Sequence, residues 1–319
     1  MLRTVAIIQD VTIAVTTKDR PDLTLLAVDS ARASAPHVRI VVVDSGSTEA
    51  NLHRLRTGLR HAELHIGSYP NAAAARNAAL RLVDSEFVGF LDSDDLMRRE
   101  KITCLQPLLR RNPDAVLAVG RTEVIDARGI GRDDLTQVHA ALYTASEEAS
   151  TSYASQCVRF TAFTSATLMR SAALEEVGGY DELLPAMEDV DLYLRLSLMG
   201  TIETSRCVAA DYRIWSENVG AVKSAEGFLA VASKHLAALP DLPDHERRAA
   251  ERALSMRSAQ SQQTLLRRSD ARRSLIRAAR ADPTRAFMSV LWWRILAASL
   301  VSDEIIDRRR RSSERGSYT

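Results

Sequence analysis

The sequence predicts an α/β fold built of parallel βαβ units, with a purely helical extension behind it. Short β-branched runs alternate with stretches of helical spacing from Val11 to Leu91. Polar groups stand at the ends of those runs, at Thr16–Thr17, Asp44 and Asp92–Asp94, and carboxyl ends of parallel strands are where such sheets hold ligands. Strand signals stop near residue 222, after which Ala, Arg and Leu dominate.

Taken in order, VTIAVTT (residues 11–17) reads as a buried strand ended by the polar turn KDRPD, and Asp22 to Ala33 has helical spacing. Arg39 to Val43 is a second apolar strand, stopped by a Gly/Ser turn. NLHRLRTGLR is helical, LHIGS is a weak strand, and NAAAARNAALRLV is a strong helix former. EFVGFL gives the next strand, a helix follows Arg99, and AVLAVG is a strand leading to a loop with Gly129 and Gly131. Residues 132–156 are polar, rich in Ser and Thr, and read as an irregular surface loop. SATLMRSAALEEVGGYDELL and MEDVDLYLRLSLMG supply a strand and two helices.

The 319 residues are 46% hydrophobic and 26% charged with a net charge of +1, ordinary for a globular chain and no field for nucleic acid. The charge is uneven, because residues 241–319 hold 17 Arg against 10 Asp and Glu. Such asymmetry suits either a polyanionic or membrane-surface partner or a set of solvated helices. Cys104, Cys157 and Cys207 have neither zinc nor disulfide spacing and read as reduced thiols of a cytoplasmic protein. MLRTVAIIQDVTIAV carries Asp10 and no small-residue cleavage site, so no signal peptide is expected.

FLDSDDLM places Asp92, Asp94 and Asp95 within four positions behind a strand. Two such charges about 4 Å apart repel by roughly 1 kcal/mol in water and roughly 4 kcal/mol at an effective dielectric of 20. Either solvent or something positive must sit among them. IAVTTKDR, VVDSGST, AAARNAAL, FLDSDD, EEVGGYDE and EDVDLYLRL occur in this order, and together they resemble the inverting GT-A glycosyltransferases of family 2. The resemblance covers residues 13–196 and implies a Rossmann-like mixed sheet flanked by helices.

It also implies roles. Thr16, Thr17 and Asp44 would line the nucleotide site, with Asp44 accepting a hydrogen bond from a base N–H. Read alone, an Asp before Gly-Ser at a strand end is a turn residue. Arg76 would neutralise a phosphate or brace the base pocket. Asp92, Ser93 and Asp94 match the family's DxD stretch, whose carboxylates hold Mn²⁺ or Mg²⁺ against the donor diphosphate. On this reading the metal is the positive charge, and Asp95 caps a helix starting near Leu96. Glu188–Asp189 matches the family's ED, with Asp189 as catalytic base and Glu188 orienting the acceptor. Asp191 and Arg195 look like a surface pair. The chain departs from the family at Thr16 (usually Pro), Lys18 (usually Tyr), Ser45 (often a second Asp), Arg99 (often Pro) and Trp215 (commonly His). Any metal or phosphate contact made by that His is lost.

FMSVLWWRILAASLV (residues 287–301) is nearly apolar all round but too short to span a bilayer. With Trp292, Trp293 and the Arg308–Arg311 run, it suits a helix lying in a membrane interface, or one packed on the catalytic domain or a second subunit. The expected organisation is a catalytic domain over 1–221 and an Ala/Arg-rich helical region over 222–319, with membrane contact through 285–311. The expected chemistry is transfer, with inversion, from a UDP-, dTDP- or GDP-linked sugar to a carbohydrate or lipid-linked hydroxyl. The work would be done in the cytoplasm or on the membrane's inner face, in polysaccharide, glycolipid or envelope-glycan synthesis. A phosphoryl transferase of haloacid dehalogenase type fits poorly, since its Asp-x-Asp follows the first strand. A catalytically idle GT-A domain acting as sensor or scaffold is the remaining alternative.

Overall fold

The computed structural model describes residues 10–137, 152–159, 163–215 and 221–300. Two compact units divide the chain, Met1–Val219 and Gly220–Thr319.

In the first unit the chain runs β1 (Val11–Thr17), α1 (Pro21–Ser34), β2 (Arg39–Ser45), α2 (Glu49–Gly58), β3 (Glu63–Gly67), α3 (Ala72–Leu80) and β4 (Phe87–Asp92). It continues through β5 (Leu96–Met97), α4 (Glu100–Arg111), β6 (Ala115–Ile125) and α5 (Tyr153–Arg159). A 3₁₀ turn at Thr164–Ala166 leads into β7 (Thr167–Arg170), α6 (Ser171–Glu176), α7 (Glu188–Leu196) and β8 (Thr201–Arg213). The eight strands form one sheet in the order β3-β2-β1-β4-β7-β6-β8-β5. The first four run parallel, as the alternating pattern requires. β7 then pairs antiparallel with both β4 and β6, which makes the sheet mixed.

Period-two alternation sorts β1 onto two cores. Val11, Ile13 and Val15 pack with Ala27, Val28 and Ala31 of α1 and Leu105 and Leu109 of α4. Ala14 faces the other side, among Ala73, Ala78 and Ala79 of α3 and Leu192 and Leu196 of α7. Alanines on α3 let that helix lie close against the sheet, which later decides where Arg76 sits.

Three expectations are corrected here, and one strand is new. β8 is a 13-residue strand, although TIETSRCVAADYR shows no clean alternation. Its pattern is hidden because one of its neighbours, β6, pairs with it through register shifts at three places. Asp95 caps no helix: Leu96–Met97 is a strand, α4 begins at Glu100, and Asp95 is buried. Asp191 and Arg195 are no surface pair, because Asp191 is fully buried and Arg195 also donates to the carbonyls of Val177 and Gly179 at 2.7 Å each. Residues 133–137 and Tyr153–Arg159 are helical within the stretch read as an irregular loop, of which 138–151 lie outside the described residues.

The second unit is helical: α8 (Ala221–Ala237), α9 (Asp244–Thr264), α10 (Arg268–Ala281), α11 (Pro283–Phe287) and α12 (Val290–Leu300). Its core gathers Met256, Ala259, Ala271, Leu275, Ala278, Trp292 and Ile295. Among the described residues no helix is long and apolar enough to cross a membrane.

Candidate active site

Sheet register aligns the strand-end residues. Thr16 lies beside Asp92 across β1 and β4, and Thr17 lies beside Asp44 across β1 and β2. Two of these side chains turn inward. Thr17 Oγ1 is hydrogen-bonded to Thr24 Oγ1 of α1 at 2.7 Å. Asp44 is fully buried, and its Oδ1 accepts from the backbone N–H of Gly46 and Ser47 at 3.1 and 3.0 Å, while its Oδ2 accepts from the Ser47 hydroxyl. Gly46, at φ 80°, supplies the left-handed step that closes this turn. Asp44 thus shapes the turn at the end of β2, its carboxylate engaged within that turn.

Arg76 is the hub of the arrangement. Its Nη2 donates to Asp92 Oδ1 at 2.6 Å and its Nη1 to Glu188 Oε1. The guanidinium is largely buried and lies 5.6 Å from the ring centroid of Tyr180. Tyr180 is held there by α3 itself, since Asn77 Oδ1 accepts from the Tyr180 N–H at 2.8 Å and Asn77 Nδ2 donates to the Tyr180 carbonyl at 2.9 Å. Gly179 permits this grip: its φ is 70°, and a Cβ there would come within 2.6 Å of Asn77 Oδ1. The motif GGY therefore carries a structural reason.

Asp189 follows Glu188 at the start of α7, one residue beyond Met187, which adopts a left-handed φ of 62°. A side chain in that region is uncommon and strained. It turns the chain so that Glu188 reaches Arg76 and Asp189 lies within the influence of its charge. Asp189 Oδ2 accepts from Thr164 Oγ1 at 3.2 Å and its Oδ1 from the Val190 N–H at 2.8 Å. Burial, reinforced by the Glu188 and Asp92 charges and opposed by Arg76, pushes its pKa up to about 6.

Asp94 is held differently. Its Oδ2 accepts from Arg20 Nη1 at 2.6 Å and from Trp215 Nε1 at 2.8 Å, and Arg20 lies 5.7 Å from the Trp215 ring centroid. Ser93, between the two acids, is buried. Behind them, Asp95 accepts from the Arg213 N–H at 2.8 Å and the Ser165 hydroxyl at 2.6 Å, and burial lifts its pKa to about 8. Arg213 Nε also donates to the Asp94 carbonyl at 2.7 Å. Beneath lies Lys101, fully buried, donating to the carbonyls of Phe90 and Ser165 at 3.0 and 2.9 Å. Burial lowers its pKa to about 7.

The acids are therefore neutralised by arginines. Asp92 is paired with Arg76 and Asp94 with Arg20. Each still has one carboxylate oxygen, Asp92 Oδ2 and Asp94 Oδ1, without a partner among the described residues. No group of three or more His, Cys, Asp or Glu among the described residues could hold a metal by itself. Thr164, Ser165, Tyr180, Lys101 and Arg213 were not singled out in the sequence. Tyr180 lies within the EEVGGYDE motif and Lys101 within the expected helix after Arg99, but neither residue was given a role, and Trp215 was noted only as the stand-in for a His.

A mixed sheet with acids gathered at its parallel strand ends is the architecture of the GT-A fold. Two solved structures share it. One is the mannosyltransferase PcManGT from Pyrobaculum calidifontis in complex with GDP-Man and Mn²⁺ (TM-score 0.62, 18% identity, 91% of this chain and 85% of that one). The other is S. aureus TarS 1–349 in complex with UDP-GlcNAc (TM-score 0.62, 17% identity, 87% and 83%). At these identities the likeness speaks for the fold. Residues 23–239 match the family described as Glycosyltransferase like family 2, and the chain belongs to that family. The pre-mycofactocin glycosyltransferase of Mycobacterium tuberculosis (strain H37Rv) is 30% identical over 191 residues, covering 55% of this chain. This chain spans only 38% of that relative's length.

Proposed function

We propose that this chain transfers a sugar, with inversion, from a nucleoside-diphosphate-linked donor to a hydroxyl acceptor. Family membership supports the transferase class, and the solved relatives crystallised with GDP-Man, UDP-GlcNAc and UDP support the donor class. The observation that carries the reading is the Arg76 bridge, which ties the donor-side Asp92 to the acceptor-side Glu188 beside Asp189.

Asp189 is the general base. With a pKa of about 6 it is ionised at neutral pH yet basic enough to take a proton from an acceptor hydroxyl during attack. Thr164 fixes one of its oxygens and leaves the carboxylate oriented. Glu188, restrained by Arg76, orients the acceptor. Attack from the face opposite the diphosphate inverts the anomeric centre. Thr16, Thr17, Asp44, Arg76 and Ser93 shape the donor side, Asp44 through its turn.

A divalent cation fits these residues. The free oxygens of Asp92 and Asp94 are hard donors, and a Mg²⁺ or Mn²⁺ site made of one or two carboxylates plus substrate phosphates needs no larger protein cluster. When bound, the ion offsets the charge growing on the departing diphosphate. Carbohydrate and lipid-linked hydroxyls are the acceptor classes in view, in polysaccharide, glycolipid or envelope-glycan synthesis. Peripheral membrane contact through 285–311 belongs to the second unit and is independent of the donor site.

Turnover of UDP-, dTDP- and GDP-sugars with Mn²⁺ and with chelator tests the proposal, alongside Asp189→Asn. Loss of turnover with nucleotide binding retained, and a product of inverted anomeric configuration by NMR, is the expected outcome. Full activity in Asp189→Asn removes the base assignment. Wild-type protein that binds nucleotide and never turns it over is a sensor or scaffold.

A further inference from the structure

α12 is apolar on two faces. Trp292 and Ile295 point into the core of the second unit, and Trp292 Nε1 donates to the Leu275 carbonyl at 3.1 Å. Val290, Trp293, Ala297 and Leu300 recur at helical spacing along the outer face and are all exposed. Just before the helix, Met288 is 79% exposed and Phe287 half exposed. A helix on a water-facing surface ordinarily turns charged residues outward. Here only Arg294 interrupts the stripe, and contiguous exposed apolar surface of this kind marks a docking face.

Two features say what covers it. The first is a rigid aromatic knob: Phe287, Trp292 and Trp293 pack edge-on or tilted with ring centroids 4.8–6.3 Å apart. Trp293 Nε1 already donates to the Phe287 carbonyl at 2.8 Å, so the exposed indole leaves water without forfeiting a hydrogen bond. The second is charge. Arg285, which pairs with Asp282, and Arg294 flank the face, and Arg308–Arg311 follow Asp303, Glu304 and Asp307, so residues 282–311 hold six arginines against four acids. The 11 residues of α12 rise about 16 Å, short of the roughly 30 Å hydrocarbon core.

We propose that Phe287–Leu300 docks in the plane of an anionic lipid surface, with Met288, Val290, Trp293 and Leu300 immersed and the arginines at the headgroups. The arginines supply the electrostatic part of the binding and the apolar stripe the rest. The surface lies wholly within the second unit and does not depend on the donor-site reading.

Sedimentation of the full chain with vesicles of phosphatidylcholine alone, and of phosphatidylcholine with phosphatidylglycerol, tests this. Binding to the anionic vesicles is expected, weaker on the neutral ones and weaker again at high salt. Met288→Ser with Val290→Ser should lower partition at least about tenfold, with the thermal midpoint little changed because these side chains are 79% and 73% exposed. Trp293→Phe should still bind but lose the blue shift of emission that wild type shows on vesicles. Failure to sediment with anionic vesicles overturns the proposal, as does equal partition of the double variant. So does a concentration-dependent dimer of wild type that the same substitutions dissolve, which would assign the face to a second copy of the chain.

Discussion

Arg76 donates to Glu188 across 112 positions of sequence, and its second nitrogen holds Asp92 at 2.6 Å. The fork joins the end of β4 to the start of α7. Lysine offers a charge without the planar fork. Arg76→Lys should therefore lower turnover by roughly a hundredfold through misplacement of the acids. Arg76→Met should also cost about 3 kcal/mol in urea denaturation, the low end for breaking a buried pair, because Asp92 is one-third exposed.

Asp189 sets the acid limb of the pH profile. Its folded pKa is raised to about 6, so the active, ionised form is lost as pH falls through that value. Because that value belongs to the free protein, kcat/KM should fall tenfold per pH unit below about 5. Asp189→Asn should abolish this limb and lower kcat by about 10²–10⁴, with donor affinity unchanged by calorimetry.

Arg20 competes with any cation for Asp94. Removing it leaves that carboxylate less neutralised. Arg20→Ala should bind Mn²⁺ alone roughly two- to fivefold more tightly, a small effect because Arg20 is half exposed. The same variant should bind nucleoside diphosphate more weakly, having lost a cation. Manganese paramagnetic resonance and nucleotide calorimetry read the two halves separately.

Lys101 makes stability depend on alkaline pH. Burial lowers its folded pKa to about 7 while the unfolded chain keeps the ordinary 10.5, so between these values the unfolded state binds more protons. The contribution of Lys101 to stability should rise from pH 8 to pH 10. The stability cost of Lys101 is fully present below about 7 and gone above 10.5. Lys101→Met should flatten that slope in pH-dependent denaturation, whatever it does to the midpoint itself.

The parallel half of the sheet was legible because its strands are apolar runs closed by turn residues, and the motif order led to the GT-A family. The helices after Leu91 and β7 followed from periodicity. β8 was not legible, since its bulged register breaks alternation. The acidic cluster itself was conspicuous, but its counter-charges were not. Arg20, Arg76 and Arg213 come from a loop, a helix and a strand end, and only tertiary folding brings them together. Asp95 shows the same limit: a helix cap and a buried strand acid look alike in sequence, and Arg213 and Ser165 decide between them.

An acidic cluster furnished with internal guanidinium partners needs neither ion nor nucleotide to keep its acids close. On the proposed reading, ligand entry would be a trade of partners, with arginines released from carboxylates becoming available to phosphate oxygens. Chelator-treated protein should keep its fold and its circular dichroism, and regain competence on mixing without a slow refolding phase.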